Sequence, residues 1–578
     1  MTTPGPIDPD ADGIEEGKRL IRLGGDKGLS LTERVANQFH RLTWRTPLHA
    51  LRLRGRYPLK LMAVPEDPIA GDTRVGLSLL KREILWRGER LSIADLDFAK
   101  LGASAPLADY LHSFAWLRDL AAAGTRVAAA PVAEALMRKW LEAHGNLVAN
   151  PAWRHDLCAK RIMFWAAHAP LILSATDLVY RSAVLNGLAR AARHLDRGAD
   201  RSAQGGARII AWCGVVAAGL LIPGGQPRRA FGEAGLARAL TTGFFEDGGL
   251  ICRSPTEMLD TLATLAMLRH VYAVRREEIF APVEAALARA VPALLGVIHG
   301  DGALSSWQGG GPLSAELVES VVAATGVRSR PLRQARDWGY QRLAGGSSVA
   351  IMDAAPPPIS RLSAGGCAST LAIELSDGPH RLVVNCGGGR MGGAWLQSQL
   401  ADGLRTTAAH STLIVSDNNS TAIHADGSLG KGVAEVALDR QESEGASRVE
   451  ASHDGYVRRF GFIHRRTLLM NSDGRELRGE DVLLPSGRKR KGTAPFALRF
   501  HLAPGVEASP TADGMGALLR LVDGPLWQFR CRGGALAVEE SLWIDGGARP
   551  RATHQLVISG EAHAGGATVG WLFKRASS

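Results

Sequence analysis

The residues best suited to chemistry fall in four places. In Phe244–Leu265, FFEDGGLICRSPTEMLDTLATL, Ser254 fits a helix N-cap, Pro255 the first helical position and Glu257 the third. S-P-T-E is then a capping box with proline where its missing N–H costs least. Asp247 and Arg253 lie just ahead of that start, and a guanidinium beside a helix N-terminus is a natural grip for a carboxylate or sulfate. Glu257 reads either as a cap or as an acid able to move a proton. A second turn, His299-Gly300-Asp301-Gly302, runs into Ser305, Ser306, Trp307 and Gln308. Imidazole, acid and indole in a glycine-rich turn suit sugar stacking and hydrogen bonding, although glycine just past a helix end is expected anyway. The third place is rich in histidine: His410 opens the run Ser411–Ser416 ahead of Asp417, with His424, Asp426, His453 and His464 farther on. No short metal-ligand spacing joins them, and a histidine on a strand is ordinarily a packed, hydrogen-bonded side chain. Finally, Trp153, Arg154, Asp156, Arg161 and Trp165 share one helical segment. They line a cleft for acidic sugars on one reading, and are arginines snorkelling over core tryptophans on the other.

Two textures of sequence must position these groups. From Ala108 to His299 apolar residues recur at three- and four-residue spacing, which predicts helices over Leu107–Ala123, Pro131–His144, Asp156–Leu173, Leu178–Leu195, Ala207–Leu221, Thr256–Val274 and Glu278–His299. Successive helices with short links pack as pairs around a toroid. After Trp338 short β-type runs alternate with Gly, Asp and Asn turns, and STLAIELSDGPHRLVVNCG reads as a hairpin about Asp377-Gly378. The expected fold is multidomain α + β: an N-terminal α/α toroid, an incomplete barrel, followed by a C-terminal antiparallel β-sandwich. The expected divisions are a disordered lead-in over 1–30, the toroid over 31–340 and the sandwich over 341–578.

Composition narrows the function. The chain has 578 residues, 46% hydrophobic and 22% charged, which excludes a wholly disordered, collagenous or coiled-coil protein. A formal charge of +11 suits an acidic partner such as an anionic polysaccharide, nucleic acid or membrane surface. The basic run Arg488–Lys491 reads as a solvated loop, so nucleic acid is not the expected partner. Six scattered cysteines without a C-x-x-C pair predict buried free thiols, and six tyrosines leave few candidates for a tyrosine-based mechanism. The apolar run Ile209–Ile222 is too short to span a bilayer and reads as a buried helix, so no integral membrane segment is expected. The acidic start MTTPGPIDPDADGIEEGKRL lacks a secretory pattern, which predicts a cytoplasmic protein. An oligomer is compatible with the sequence.

The chain resembles the heparinase II/III-like family of polysaccharide lyases. The resemblance rests on YLHSFAWLRDL (Tyr110–Leu120), DGGLICRSP (Asp247–Pro255), HGDGALSSWQGG (His299–Gly310), GYQRLAGG (Gly339–Gly346), LAIELSDGPHRLVVNCGG (Leu371–Gly388), AAHSTLIVSD (Ala408–Asp417) and SHDGYVRRFGFIHRR (Ser452–Arg466). It implies β-elimination at a uronic acid: a base removes the C5 proton, a neutralising group stabilises the enolate-like intermediate and an acid protonates the leaving oxygen. On this reading His410, His453 and Glu257 are catalytic, and Asp247, Arg253, His299, Trp307 and Arg161 bind an acidic polysaccharide or oligosaccharide. The resemblance also implies zinc in the sandwich, held by His410, His453 and Asp417 with Asp426 as rival, and a periplasmic alternative for location. The sequence departs from the family in three places, one being Cys367, which stands where many relatives have histidine. Glu257 and Met258 stand where its Tyr-His pair is expected, and Gly206–Arg208 holds no Asn-His pair. These departures favour an alternative, a catalytically altered glycan-binding or envelope-associated protein. A third reading is a toroid glycoside hydrolase using Asp247, Glu257 or Asp301, for which no spacing marks a carboxylate pair.

Overall fold

A computed structural model describes residues 14, 16–22, 46–55, 60–359, 361–362, 365–487 and 492–576. The first half is a toroid of helices, the main ones Arg126–His144, His155–Ala167, Leu178–Gly198, Gly206–Leu221, Gln226–Gly243, Pro255–Val274 and Ala281–Gly296. The apolar run beginning at Ile209 is the helix Gly206–Leu221, buried along almost its whole circumference because it packs against four others, His155–Ala167, Leu178–Gly198, Gln226–Gly243 and Pro255–Val274. Close approach requires small residues at the crossings: a Cβ on Gly235 would lie 2.5 Å from the Trp212 ring. Two expected helices are broken. Leu107–Ala123 divides at Phe114, which takes a left-handed cap conformation with φ 66°. Asp156–Leu173 stops at Ala167, ahead of Pro170, whose ring cannot sit inside a continuing helix.

The second half is two antiparallel sheets. A nine-stranded sheet runs from Gly17–Arg22 at one edge to Val506–Pro510 at the other, and an eight-stranded sheet from Ala535–Ile544 to Tyr340–Gly345. The strands Ala446–His453 and Phe462–Asn471 alternate buried and half-buried residues, as one-sided sheets do. Ser348–Asp353 and Ile373–Asp377 are instead buried at every position. Ala350, Met352, Ile373 and Leu375 join the core between the sheets, while Val349, Ile351 and Ala372 on the opposite face join the core of the toroid. The helical half therefore covers the outer face of this sheet. The Asp377-Gly378 hairpin forms as expected, with Gly378 at φ 53°.

The start of the chain differs from expectation. Gly17–Arg22, within the stretch read as a disordered lead-in, is a strand paired antiparallel with Glu435–Arg440 of the sandwich. Residues 1–13 and the basic run Arg488–Lys491 lie outside the described residues. All six cysteines are free and buried. Among the described residues no helix is long and apolar enough to cross a membrane.

Candidate functional site

Most of the nominated binding residues are the joint between the halves. Arg253 closes the turn before Pro255 at φ 59° and is 3% exposed. Its Nη2 donates to Asp353 Oδ1 (2.6 Å), its Nη1 to the Pro356 carbonyl (2.8 Å) and its Nε to the Trp338 carbonyl (2.8 Å). Burial opposes this charge, and the Asp353 carboxylate more than restores it. Asp247 accepts from the backbone N–H groups of Gly249, Asp337 and Trp338, so it shapes the turn that receives the linker. His299 lies with Nε2 3.0 Å from Glu374 and Nδ1 3.0 Å from Ser376, both on a central sandwich strand. Burial lowers its pKa against the opposing pull of Glu374. Trp307 is fully buried on Tyr340. Asp301 pairs with Arg381. Arg161 is a core residue of the toroid, 4.4 Å from the Trp140 ring and 5.2 Å from Trp153, with Nη1 on the His112 and Ala152 carbonyls. Asp247, Arg253, His299, Trp307 and Arg161 are thus each held by backbone, carboxylate or ring partners inside the protein, which gives each a structural role. Asp247 stays half-exposed, and Arg253 also lines a hollow with Phe245, Asp337 and Pro356.

The histidines are divided between two networks. His410, 1% exposed, approaches the Thr406 carbonyl through Nδ1 (2.7 Å). A carbonyl only accepts, so the proton sits on Nδ1 and Nε2 carries the lone pair. Burial lowers its pKa, opposed by that carbonyl and by the Asp353 and Glu374 carboxylates. Its ring is therefore neutral. His453 accepts the Gly455 N–H at Nδ1 and meets His464 Nδ1 through Nε2 (3.2 Å), while His464 Nε2 meets Asp481 (2.7 Å). With protons on both Nε2 atoms this is a continuous chain of donors ending on a carboxylate that also receives Arg466 and Trp571. Both ring nitrogens of His453 are occupied. Asp417 is exposed on a turn at φ 50°. Among the described residues no three His, Cys, Asp or Glu side chains are arranged to hold a metal ion. The nominated zinc ligands His410, His453 and Asp417 therefore do not fit such a centre.

Around Glu257 the partly exposed groups form ion pairs. Ser254 caps the helix as expected, its Oγ accepting the Glu257 N–H, while the Glu257 carboxylate pairs with Arg390. Arg390 lies over Gly309 and Gly365, where a side chain on either glycine would collide with it. Farther along, Arg154 bridges Asp109 (3.0 Å) and Asp156 (2.5 Å), and Lys160 holds Asp260 (2.6 Å) one helical turn from Glu257. The sequence reading passed over Arg390, Asp353 and Glu374. The signal for Arg390 was its place in Gly387-Gly388-Gly389-Arg390-Met391-Gly392-Gly393, where the backbone is free to approach a partner.

The toroid capped by a two-sheet sandwich is a polysaccharide lyase-like fold. Residues 327–572 match the family model described as Heparinase II/III-like, C-terminal, so the sandwich half of the chain is similar to that family. It is 29% identical over 560 residues to FtsZ-localized protein C of Caulobacter vibrioides, covering 91% of this chain and 92% of that protein. Among solved structures it is similar to heparinase III (TM-score 0.67, 13% identity, 96% of this chain and 93% of that one). It is also similar to the chondroitin AC lyase of Streptomyces coelicolor (TM-score 0.51, 11% identity, 94% and 83%). At these identities the solved structures establish the fold.

Proposed function

We propose that this chain is a lyase-fold binding protein of the cell envelope that has lost the proton-transfer set for elimination. The carrying observation is the state of the five tyrosines among the described residues, Tyr57 lying outside them. Tyr110 donates to Asp119, Tyr272 to Glu233, Tyr340 to the Arg253 carbonyl and Tyr456 to the Leu413 carbonyl, and the Tyr180 hydroxyl is buried without a partner. Burial pushes all five pKa values up, the wrong direction for a tyrosinate base. Glu257 stands in place of the family tyrosine and is engaged by Arg390, so the guanidinium already holds a carboxylate of its own chain. A near full-length relative, FtsZ-localized protein C, supports the same reading. On this proposal the present chain localises with FtsZ, and a fluorescent fusion scored against FtsZ tests it.

The observation favouring the other reading, β-elimination at a uronate by a polysaccharide lyase, is the Nε2 lone pair of His410 beside the joint. One experiment separates the two. Elimination leaves a conjugated C4–C5 double bond, so a panel of uronate polysaccharides incubated with the full chain reports by near-UV absorbance. No rise is expected. A rise that disappears in His410→Ala and in Glu257→Gln would overturn the binding reading.

A further inference from the structure

A small core lies apart from those of the toroid and the sandwich. In it Met391, Leu396 and Leu404 meet Cys386, Ile544 and Ala548. It sits under residues 387–403, which leave the sandwich and lie against the toroidal half at Gly88, Pro106 and Glu257. The segment begins G-G-G-R-M-G-G, and Gly387, Gly388, Gly392 and Gly393 all have positive φ, between 64° and 103°. Such glycines let a backbone swing at little steric cost. The helix Ser398–Gly403, which ends the segment, buries no residue of its own.

Mostly polar contacts hold this segment down. Gly388 and Arg390 donate their N–H groups to the Gly310 and Gly309 carbonyls (2.8 and 2.9 Å), Arg87 donates to the Met391 carbonyl and Trp395 lies close against Gly88. Among the described residues Glu257–Arg390 is the one ion pair its side chains make, and both partners are partly open to water, at 32% and 43%. The joint at Arg253 and Asp353 is built differently, since both charges are buried and Val349 and Ile351 of the neighbouring strand join the toroid core. Local opening starts where few apolar groups are buried. Three thiols lie beneath the segment. The Arg390 stem rests over Gly309 and Gly365, Cys367 Sγ is 3.3 Å from the Gly365 carbonyl, and Cys386 belongs to the small core. Burial pushes the Cys252 thiol up to about 11, and the Arg390 guanidinium is among the groups that pull it back.

We infer that residues 387–403 are a lid across the boundary between toroid and sandwich, opening as one unit while both large cores stay folded, with Glu257–Arg390 as its latch. The lid controls access to the boundary around Glu257. It does so whether that boundary binds a ligand or transforms one, because only the closing element and its catch are involved. Satellite clusters of this kind sit under long loops and carry little of the stability of the main core, so they are the parts free to move.

The test is alkylation of the full folded chain with N-ethylmaleimide at neutral pH, each cysteine read separately by peptide mass spectrometry. Cys158 and Cys213, both 0% exposed in the toroid core, react only as fast as the whole chain unfolds. Cys252, Cys367 and Cys386 are expected to react at least about tenfold faster than these two. Glu257→Gln should quicken the three by about two- to fivefold, as loss of a half-exposed pair allows. Met391→Ser, which empties the small core, should quicken them by more than about tenfold. Neither variant should change Cys158 or Cys213. Asp260→Asn, which breaks the partly exposed pair with Lys160 inside the toroid, should leave all five as they are. Amide hydrogen exchange over residues 387–403 should rise in the same two variants. Equal rates at all five cysteines of the unaltered chain would overturn the proposal. So would unchanged rates in Glu257→Gln or Met391→Ser, or a rise in either variant that Cys158 and Cys213 share.

Discussion

Arg253 shows how much of the joint rests on single side chains. Its guanidinium and the Asp353 carboxylate are both withdrawn from water, 4% and 0% exposed at the side chain. Removing one partner of such a pair strands the other. Arg253→Ala should therefore cost about 3–5 kcal/mol in urea unfolding, whereas Arg253→Met combined with Asp353→Leu should recover most of the loss. Ser369 and Gln308, which also donate to Asp353, cannot supply the missing charge. Arg253, His299 and Trp307 were legible in the sequence as unusual residues in turns, but not as joint residues. The distinguishing contacts are made to Asp353, 100 positions away, and to Glu374, 75 positions away, and no local pattern carries that information. A polar turn built to grip a sugar and one built to grip a sheet use the same side chains.

Among elements, periodicity revealed the helices that have one dominant apolar face and missed Gln226–Gly243. Its sequence QPRRAFGEAGLARALTTG has few large apolar residues, since its glycines do the packing: Gly232 meets Val215 and Val216, and Gly235 meets Trp212. Two effects compete at Gly235. Alanine would improve helix propensity by about 0.5–1 kcal/mol, but its methyl would press on the indole at 2.5 Å, and overpacking costs about 1–3 kcal/mol. The larger effect wins, so Gly235→Ala should lower the melting temperature. The strand Gly17–Arg22 escaped notice for a different reason: the residues before it are acidic and rich in proline and aspartate, and its partner strand lies more than four hundred residues later. Around Glu257 the helix start, Ser254 as cap and Pro255 at the first position, was legible, and the pairing of its carboxylate with Arg390 needed three dimensions.

For the molecule as a whole, the buried titratable groups set the acid limit of stability. Burial lowers His112 and His501 to about 3 from an ordinary 6.5. The unfolded chain then takes up protons first, so their contribution is complete above pH 6.5 and is lost as pH falls from there toward 3. Asp67 is held at about 2, where hydrogen bonds from His168 and Arg118 outweigh burial, and Asp481 at about 2, where Arg466 and His464 do. These two contribute fully above 3.8 and fail as pH falls toward 2. Unfolding free energy from these groups should stay flat from pH 8 to 6.5 and then drop by about 1.4 kcal/mol per pH unit for each such histidine, measured by denaturant titration across that range. A stability maximum at pH 5 would contradict it. The strand Gly17–Arg22 has a practical corollary for anyone handling the protein. By lying along Glu435–Arg440 it replaces the border of that longer strand with a short one carrying Lys18, Arg19 and Arg22, which is less inviting to any passing chain. Trimming the amino end, or hanging a bulky fusion from it, would uncover that border and invite sticking, so purification handles belong at the opposite terminus.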